Sequence, residues 1–356
     1  IEGVDLTVHL RDAEQGMLLS VDPLDVYKRE KLTREHCSQL LGLINPSLDD
    51  AAEMEGEFSL SLAKLNAPIG VSEEEMMERL EVQGELALHQ VAVETDNQLL
   101  QTLSKLVADV HEKRTPAQTR VVKDALIQFQ VRDGRVFHKG LRFGFPDIDP
   151  ELEIRAYGSV GLDQSLDAYI EVPRLDREKY EQRGPIICHV TGTVSKPQLS
   201  AKDASLVVRI PNRAEPLIDV DGVDFSAQVE ELPNGRMLTF APMKVLDREK
   251  LDRQLATTLL HLVEPELQYS PQLDGEVSLS VETLRIPIDA SDREWLASLE
   301  LHGKLFIHQA TSFAVTPFRQ AIVKLLADLY GQQPGDSVRI AHDDEVEFHL
   351  TDGRFH

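Results

Sequence analysis

The chain has 356 residues, enough for two or three ordinary domains or one extended array. Its hydrophobic content of 42% supports a core and its charged content of 28% is ordinary for a globular protein, which excludes global disorder. The formal net charge of −24 repels nucleic acid and anionic membrane surfaces and excludes a phosphate-reading function.

The first predicted elements are two strands. Asp5 to Leu10 alternates apolar and polar residues, and Met17 to Val21 follows a turn at Gln15-Gly16. A helix is then predicted, with Asp22 as cap, Pro23 in the first turn and Pro46 as its stop. Leu32, Cys37, Leu40, Leu41 and Ile44 mark its apolar face. Glu57 to Leu65 alternates with period two and reads as a half-buried strand. SEEEMMERL is a short helix with a capping box formed by Ser72 and Glu75. Glu81 to Val93 is a further strand. Asn97 to Glu112 carries Leu99, Leu103, Leu106 and Val110 at helical spacing. Beyond it, Ile127, Phe129 and Val131 alternate, Asp133-Gly134 is a two-residue hairpin turn, and strands separated by Gly and Pro continue to about Val190.

The chain is written twice. MEGEFSLSLAKLNAPI at Met54 meets LDGEVSLSVETLRIPI at Leu273, and ELALHQ at Glu85 meets KLFIHQ at Lys304, both at a shift of 219 residues. No gap is needed from Ile1 to Phe137, and roughly a third of those positions are identical, against a chance level of about one in fifteen from ordinary composition. The predicted organisation is a first complete unit at 1–219, divided into a helix-containing β module (1–137) and a β meander (138–219). A second, truncated copy occupies 220–356. The second copy repeats the short helix as SDREWLASL and the long stripe as Phe318, Ile322, Leu325 and Leu329. The fold class expected is mainly β with α (α+β). It would be an elongated, curved antiparallel sheet or open trough, flanked by amphipathic helices and built from this long internal repeat.

Little in the chain suggests chemistry. Cys37 and Cys188 have no metal-ligand spacing and read as small buried hydrophobes. His89-Gln90 and His308-Gln309 recur in register, but no ligand partner sits at i+2 or i+4, so a hydrogen-bonded strand histidine is expected at each. There is no nucleophile elbow and no Gly-rich phosphate loop. No catalytic residue, metal or cofactor is assigned. No apolar run reaches the roughly 18 residues of a membrane-spanning helix. Both ends read as cut, so an anchor or export signal outside this sequence is expected.

The stretch from Tyr157 to Lys202, YGSVGLDQSLDAYIEVP and then PIICHVTGTVSKPQLSAK, resembles the carboxy-terminal region of the AsmA-like (AsmA/TamB-related) envelope proteins. Gly158, Gly161, Leu162, Leu166, Asp167, Pro185, Val190, Gly192, Thr193 and Pro197 carry the resemblance, and FQVRDGRVFHKGLRF upstream looks like the strand pair that precedes it. It covers roughly residues 80–205. The resemblance implies a non-enzymatic protein of the bacterial periplasm and cell envelope, membrane-anchored, with a role in outer-membrane biogenesis. It implies partners among phospholipids and envelope membrane proteins, and an apolar rolled sheet that guides lipid.

On that expectation the lipid-facing candidates are Phe58, Leu60, Leu62, Leu86, Leu88, Ile127 and Phe129, with Val277, Leu279, Val281, Leu305, Ile307, Val346 and Phe348 in the second copy. Acyl chains against them would gain about 0.8 kcal/mol per buried CH₂. The alternatives are an envelope scaffold whose core is filled by its own side chains and, more remotely, a hydrolase.

Overall fold

The computed structural model describes residues 6–13, 16–33, 36, 51–95, 119–121, 125–145, 149–174, 184–208, 218–233, 235–250, 272–288, 290, 292–308, 310–313, 337–341 and 344–355. The described structure is mostly antiparallel β-sheet. It divides into two compact units, Ile1–Ser200 and Ala201–His356.

In unit 1, β1 (Val8–Ala13) and β2 (Gly16–Val21) form a hairpin, and β3 (Leu24–Lys31) follows after Asp22-Pro23. Both β2 and β3 pair with the same edge of the long β4 (Ala51–Ile69), one after the other. The seven-residue α1 (Glu73–Arg79) then turns the chain, with the Ser72 hydroxyl accepting the Glu75 N–H as the capping box requires. β5 (Glu81–Thr95) returns along β4. β6 (Thr119–Val121) and β7 (Ala125–Arg132) pair with β5, and β8 (Arg135–Phe145) with both of them. β9 (Asp149–Gly161), β10 (Leu166–Val172) and β11 (Ile186–Thr193) complete an open meander. The β7–β8 turn places Asp133 and Gly134 at φ +51° and +64°, the left-handed pair that matches the twist of a two-residue hairpin.

The boundary between the units falls within β12 (Lys196–Val208). In unit 2, the second half of β12 lies beside β13 (Ile218–Leu232). The Ser205 hydroxyl donates to Asp221, and the Asp203 N–H donates to Asp224. β13 forms a hairpin with β14 (Gly235–Phe240), and β14 and β15 (Met243–Lys250) share one edge of β17 (Glu276–Pro287). α2 (Asp292–Ser298) leads to β18 (Glu300–Ile307), which pairs with β17 and with β21 (Asp344–Thr351), and β22 (Arg354–Phe355) closes a hairpin with β21. β16 (Gln272–Asp274), β19 (Ala310–Phe313) and β20 (Ser337–Ala341) make a separate three-stranded sheet.

The pairing registers of the two units superimpose at a shift of 219. Leu10 opposes Leu19 as Val229 opposes Leu238, and Leu60 opposes Leu86 as Leu279 opposes Leu305. Even the irregularities coincide: the bulge between Tyr27 and Glu30 recurs between Leu246 and Glu249.

The structure corrects one element and leaves others outside its reach. The helix predicted from Asp22 begins as the strand β3. Val26 and Tyr27 are good strand formers, and the β4 edge supplies backbone partners that an isolated helix start lacks. His36 is helical, while Cys37, Leu40, Leu41, Ile44 and Pro46 lie outside the described residues. The stripes of Leu99–Val110 and Phe318–Leu329 also lie outside them.

Candidate functional site

The alternation of β4, β5 and β7 sends one set of side chains to a common face. Cross-strand rows run Leu60–Leu86–Ile127 and Leu62–Gly84–Phe129 in unit 1, and Leu279–Leu305–Val346 and Val281–Gly303–Phe348 in unit 2. Phe58 pairs with Leu88, and Val277 with Ile307. Leu86 and Leu88 are 0% exposed, and Phe58, Leu60, Ile127, Phe129, Val277, Leu279, Val281, Leu305 and Phe348 are buried. Leu62, Ile307 and Val346 are half-buried. This burial is produced by the chain itself. A fully buried Leu or Phe contributes about 1.5–3 kcal/mol relative to exposure, so these rows hold much of the fold's stability.

Two features fit the rows together. Phe129 lies over Gly84 and Phe348 over Gly303. A Cβ on Gly84 would come within 2.6 Å of the Phe129 ring and 2.5 Å of the Ser61 carbonyl oxygen, and one on Gly303 would meet Phe348 and the Ser280 carbonyl oxygen, each at 2.6 Å. The glycines make the room that the rings occupy.

The same face continues onto β1 and β2, and there the units part. Val8 and Leu10 of β1 and Met17 of β2 are exposed, as are Leu6 and Ile69, with Leu10 and Leu6 at 59%. The unit 2 counterparts of Val8 and Leu10, Ala227 and Val229, are buried, at 4% and 6%, while those of Leu6 and Ile69, Phe225 and Ile288, are half-buried.

The recurring histidines are tied to the bulges. Arg29 and Arg248 sit at φ +50° and +51°, a left-handed backbone that non-glycine residues adopt at a cost. The Arg29 N–H donates to the Ser59 hydroxyl at 3.0 Å, and His89 Nε2 lies 3.2 Å from that oxygen. The Arg248 N–H, Ser278 hydroxyl and His308 Nε2 repeat this at 3.0 and 2.8 Å. The Arg29 guanidinium reaches Glu57 at 3.5 Å and that of Arg248 reaches Glu276 at 3.6 Å. Each Ser therefore bridges a bulge and a histidine, His89 within β5 and His308 one residue beyond β18. Each hydroxyl accepts the backbone N–H on one lone pair and keeps its own proton to share with the histidine.

Unit 1 also carries an open groove of about 1230 Å³ whose lining includes Gln83, Gln128, Gln130, Arg142, Arg155 and Tyr157. Arg142 and Arg155 both reach Glu153, at 3.6 and 3.2 Å. Nearby, Tyr157, Tyr169 and His189 stack in a ladder, with ring centroids 5.5 and 4.5 Å apart, and Asp167 holds His189 at 2.8 Å.

Among the described residues, burial shifts two titratable groups, His138 and Cys188, away from their ordinary values. His138 opposes Phe129 and Gly158, and its Nδ1 has no protein partner. Burial pushes its imidazole down to about 4. Burial pushes the Cys188 thiol up to about 11, so it is a protonated, inert filler. Cys37 lies outside the described residues.

Sequence reasoning missed a histidine cluster on the polar face of unit 2. His302 and His349 are directly opposed across β18 and β21, and Glu347 completes a group of three whose ligand atoms lie within 4.8 Å of one another. The signal is the alternation Glu345, Glu347, His349, legible only once the register sets it beside His302.

No family model, curated protein or solved structure matches the chain. Among the described residues, no helix is long and apolar enough to cross a membrane.

Proposed function

We propose that the chain is a non-enzymatic structural module of the bacterial cell envelope, made of 219-residue copies with flanking helices, whose core is filled by its own side chains. One observation carries this reading: every candidate lipid-facing side chain on β4, β5, β7 and their counterparts is buried or half-buried within the chain itself. Acyl chains reach such a face only if whatever covers it is displaced, and uncovering even a few of these side chains costs several kcal/mol. The envelope setting rests on the resemblance to the AsmA-like family in residues 157–202.

A second reading, a lipid-binding or lipid-transfer module, is favoured by the uncovered row Leu6, Val8, Leu10, Met17 and Ile69. Here the apolar face is open without any rearrangement, and a phospholipid acyl chain is an occupant of suitable chemistry. Native mass spectrometry of the chain purified from bacteria, with lipid extraction, separates the two. The scaffold reading expects a bare protein mass and no uptake of added phospholipid. Stoichiometric phospholipid that is lost in Leu10→Asp, with the fold retained, would establish the second reading and overturn the first.

A further inference from the structure

We propose that unit 2 carries a surface site for a divalent transition-metal ion, best suited to zinc, formed by His302, Glu347 and His349. The polar face of β18 and β21 presents these side chains together because His302 pairs with His349 and Glu347 lies two residues along the same strand. Directly opposed positions bring Cβ atoms to about 5 Å, close enough for both imidazoles to share one ion.

The details fit a ligand set. The two rings lie 4.0 Å apart and nearly parallel at 15°, and a ring nitrogen of each lies within 4.8 Å of the other and of a Glu347 oxygen. His302 Nε2 already meets Glu347 Oε1 at 3.0 Å, a contact in which an ion can replace the shared proton. On the other side of the ring, His302 Nδ1 faces Glu282 Oε2 at 3.4 Å, the arrangement in which an outer carboxylate orients a metal-bound histidine. Tetrahedral zinc with bonds of about 2.0–2.1 Å needs its ligand atoms roughly 3.3 Å apart, which side-chain rotation from the present spread can reach. Two imidazoles and a carboxylate leave a fourth position for water. Charge favours a cation: Glu282, Glu345 and Glu347 surround the pair, with Lys304 the counter-charge, reaching Glu345 at 3.2 Å and Glu282 at 3.5 Å.

Unit 1 supplies an internal control. At the same register it has Gln83, Gln128 and Gln130, and Ala63 in place of Glu282, so the scaffold is kept and the ligands are gone. Glutamines at these positions are therefore compatible with the sheet.

The test is calorimetric titration of the tag-free, full chain with zinc chloride, against H302Q/H349Q and against E347Q, with circular dichroism to verify folding. Cobalt(II) substitution gives a second readout. The expected result is one equivalent of zinc bound by the wild type and lost in H302Q/H349Q, at least tenfold weakening in E347Q, and an intense tetrahedral cobalt spectrum in the wild type alone. Failure of the wild type to bind zinc at micromolar concentration, or equal uptake by a folded H302Q/H349Q or E347Q variant, overturns the site.

Discussion

Units 1 and 2 keep one hydrogen-bonding register and change the residues that decorate it. The ion pair beside the bulge shows how. Asp25 and Lys28 meet at 3.0 Å in unit 1, while Lys244 and Asp247 meet at 2.7 Å in unit 2, with the signs exchanged between the same two positions. Backbone geometry and pair complementarity are common to the units, whereas the identity of either partner is not. By contrast, the Ser–His–bulge clamp and the Gly–Phe fit are retained residue for residue. Those devices solve backbone problems, a left-handed residue and a ring lying on a strand, for which few other side chains serve.

This contrast can be broken at several depths. The largest effect is expected from Leu86→Ala, which empties a fully buried position and should destabilise unit 1 by about 2–5 kcal/mol, read as loss of amide-exchange protection in β4, β5 and β7 with β17, β18 and β21 of unit 2 spared.

His138 comes next, a buried imidazole of unit 1. The folded imidazole titrates at about 4 and an exposed one near 6.5, so between these values the unfolded chain binds the extra proton. Unit 1 should keep its full stability above pH 6.5 and lose up to about 3 kcal/mol as pH falls toward 4. His138→Phe should flatten that slope in hydrogen exchange or denaturant titrations.

Gly84→Ala and Gly303→Ala should each cost about 1–3 kcal/mol by driving a methyl into the facing ring and carbonyl, and Phe129→Leu or Phe348→Leu should relieve part of the cost in the double variants. Equal losses in the two units would show that the fit is shared. A loss in one alone would show that the aromatic has moved in the other.

The smallest effect is expected from Ser59→Ala and Ser278→Ala, about 1 kcal/mol each, because the bulge N–H loses an exposed hydroxyl partner in unit 1 and a part-buried one in unit 2, and each histidine loses its contact. Denaturant melts of both variants measure it directly.

Much of this architecture is legible in the residues. The alternation of Phe58, Leu60 and Leu62, the Asp133-Gly134 turn and the Ser72 cap each announce a local geometry that the fold then uses. The strand β3 is not legible in that way. Leu24–Lys31 carries a helix-start signature at Asp22-Pro23, and only the non-local edge of β4 makes it a strand. The metal candidate is obscured for a related reason: His302 and His349 are far apart in sequence and meet only through strand pairing. The apolar face is legible as a face, but alternation alone says nothing about what covers it. That is why burial of Leu86 and exposure of Leu10 had to come from the structure.

The shared register also bears on how such a chain reaches its native state. When two segments of one polypeptide offer the same pattern of donors, acceptors and apolar rows, β3 finds in β17 a partner nearly as acceptable as β4. Swapped pairings between copies are then a kinetic hazard during synthesis. The bulges at Arg29 and Arg248 do not remove this competition, since they are identical; they prevent one-residue slips within either pairing. What separates native from swapped pairings is sequence distance, the shorter loop closing first. Vectorial folding from the ribosome, with unit 1 completed before unit 2 emerges, should therefore favour correct assembly, and refolding from denaturant should yield a larger misassembled fraction.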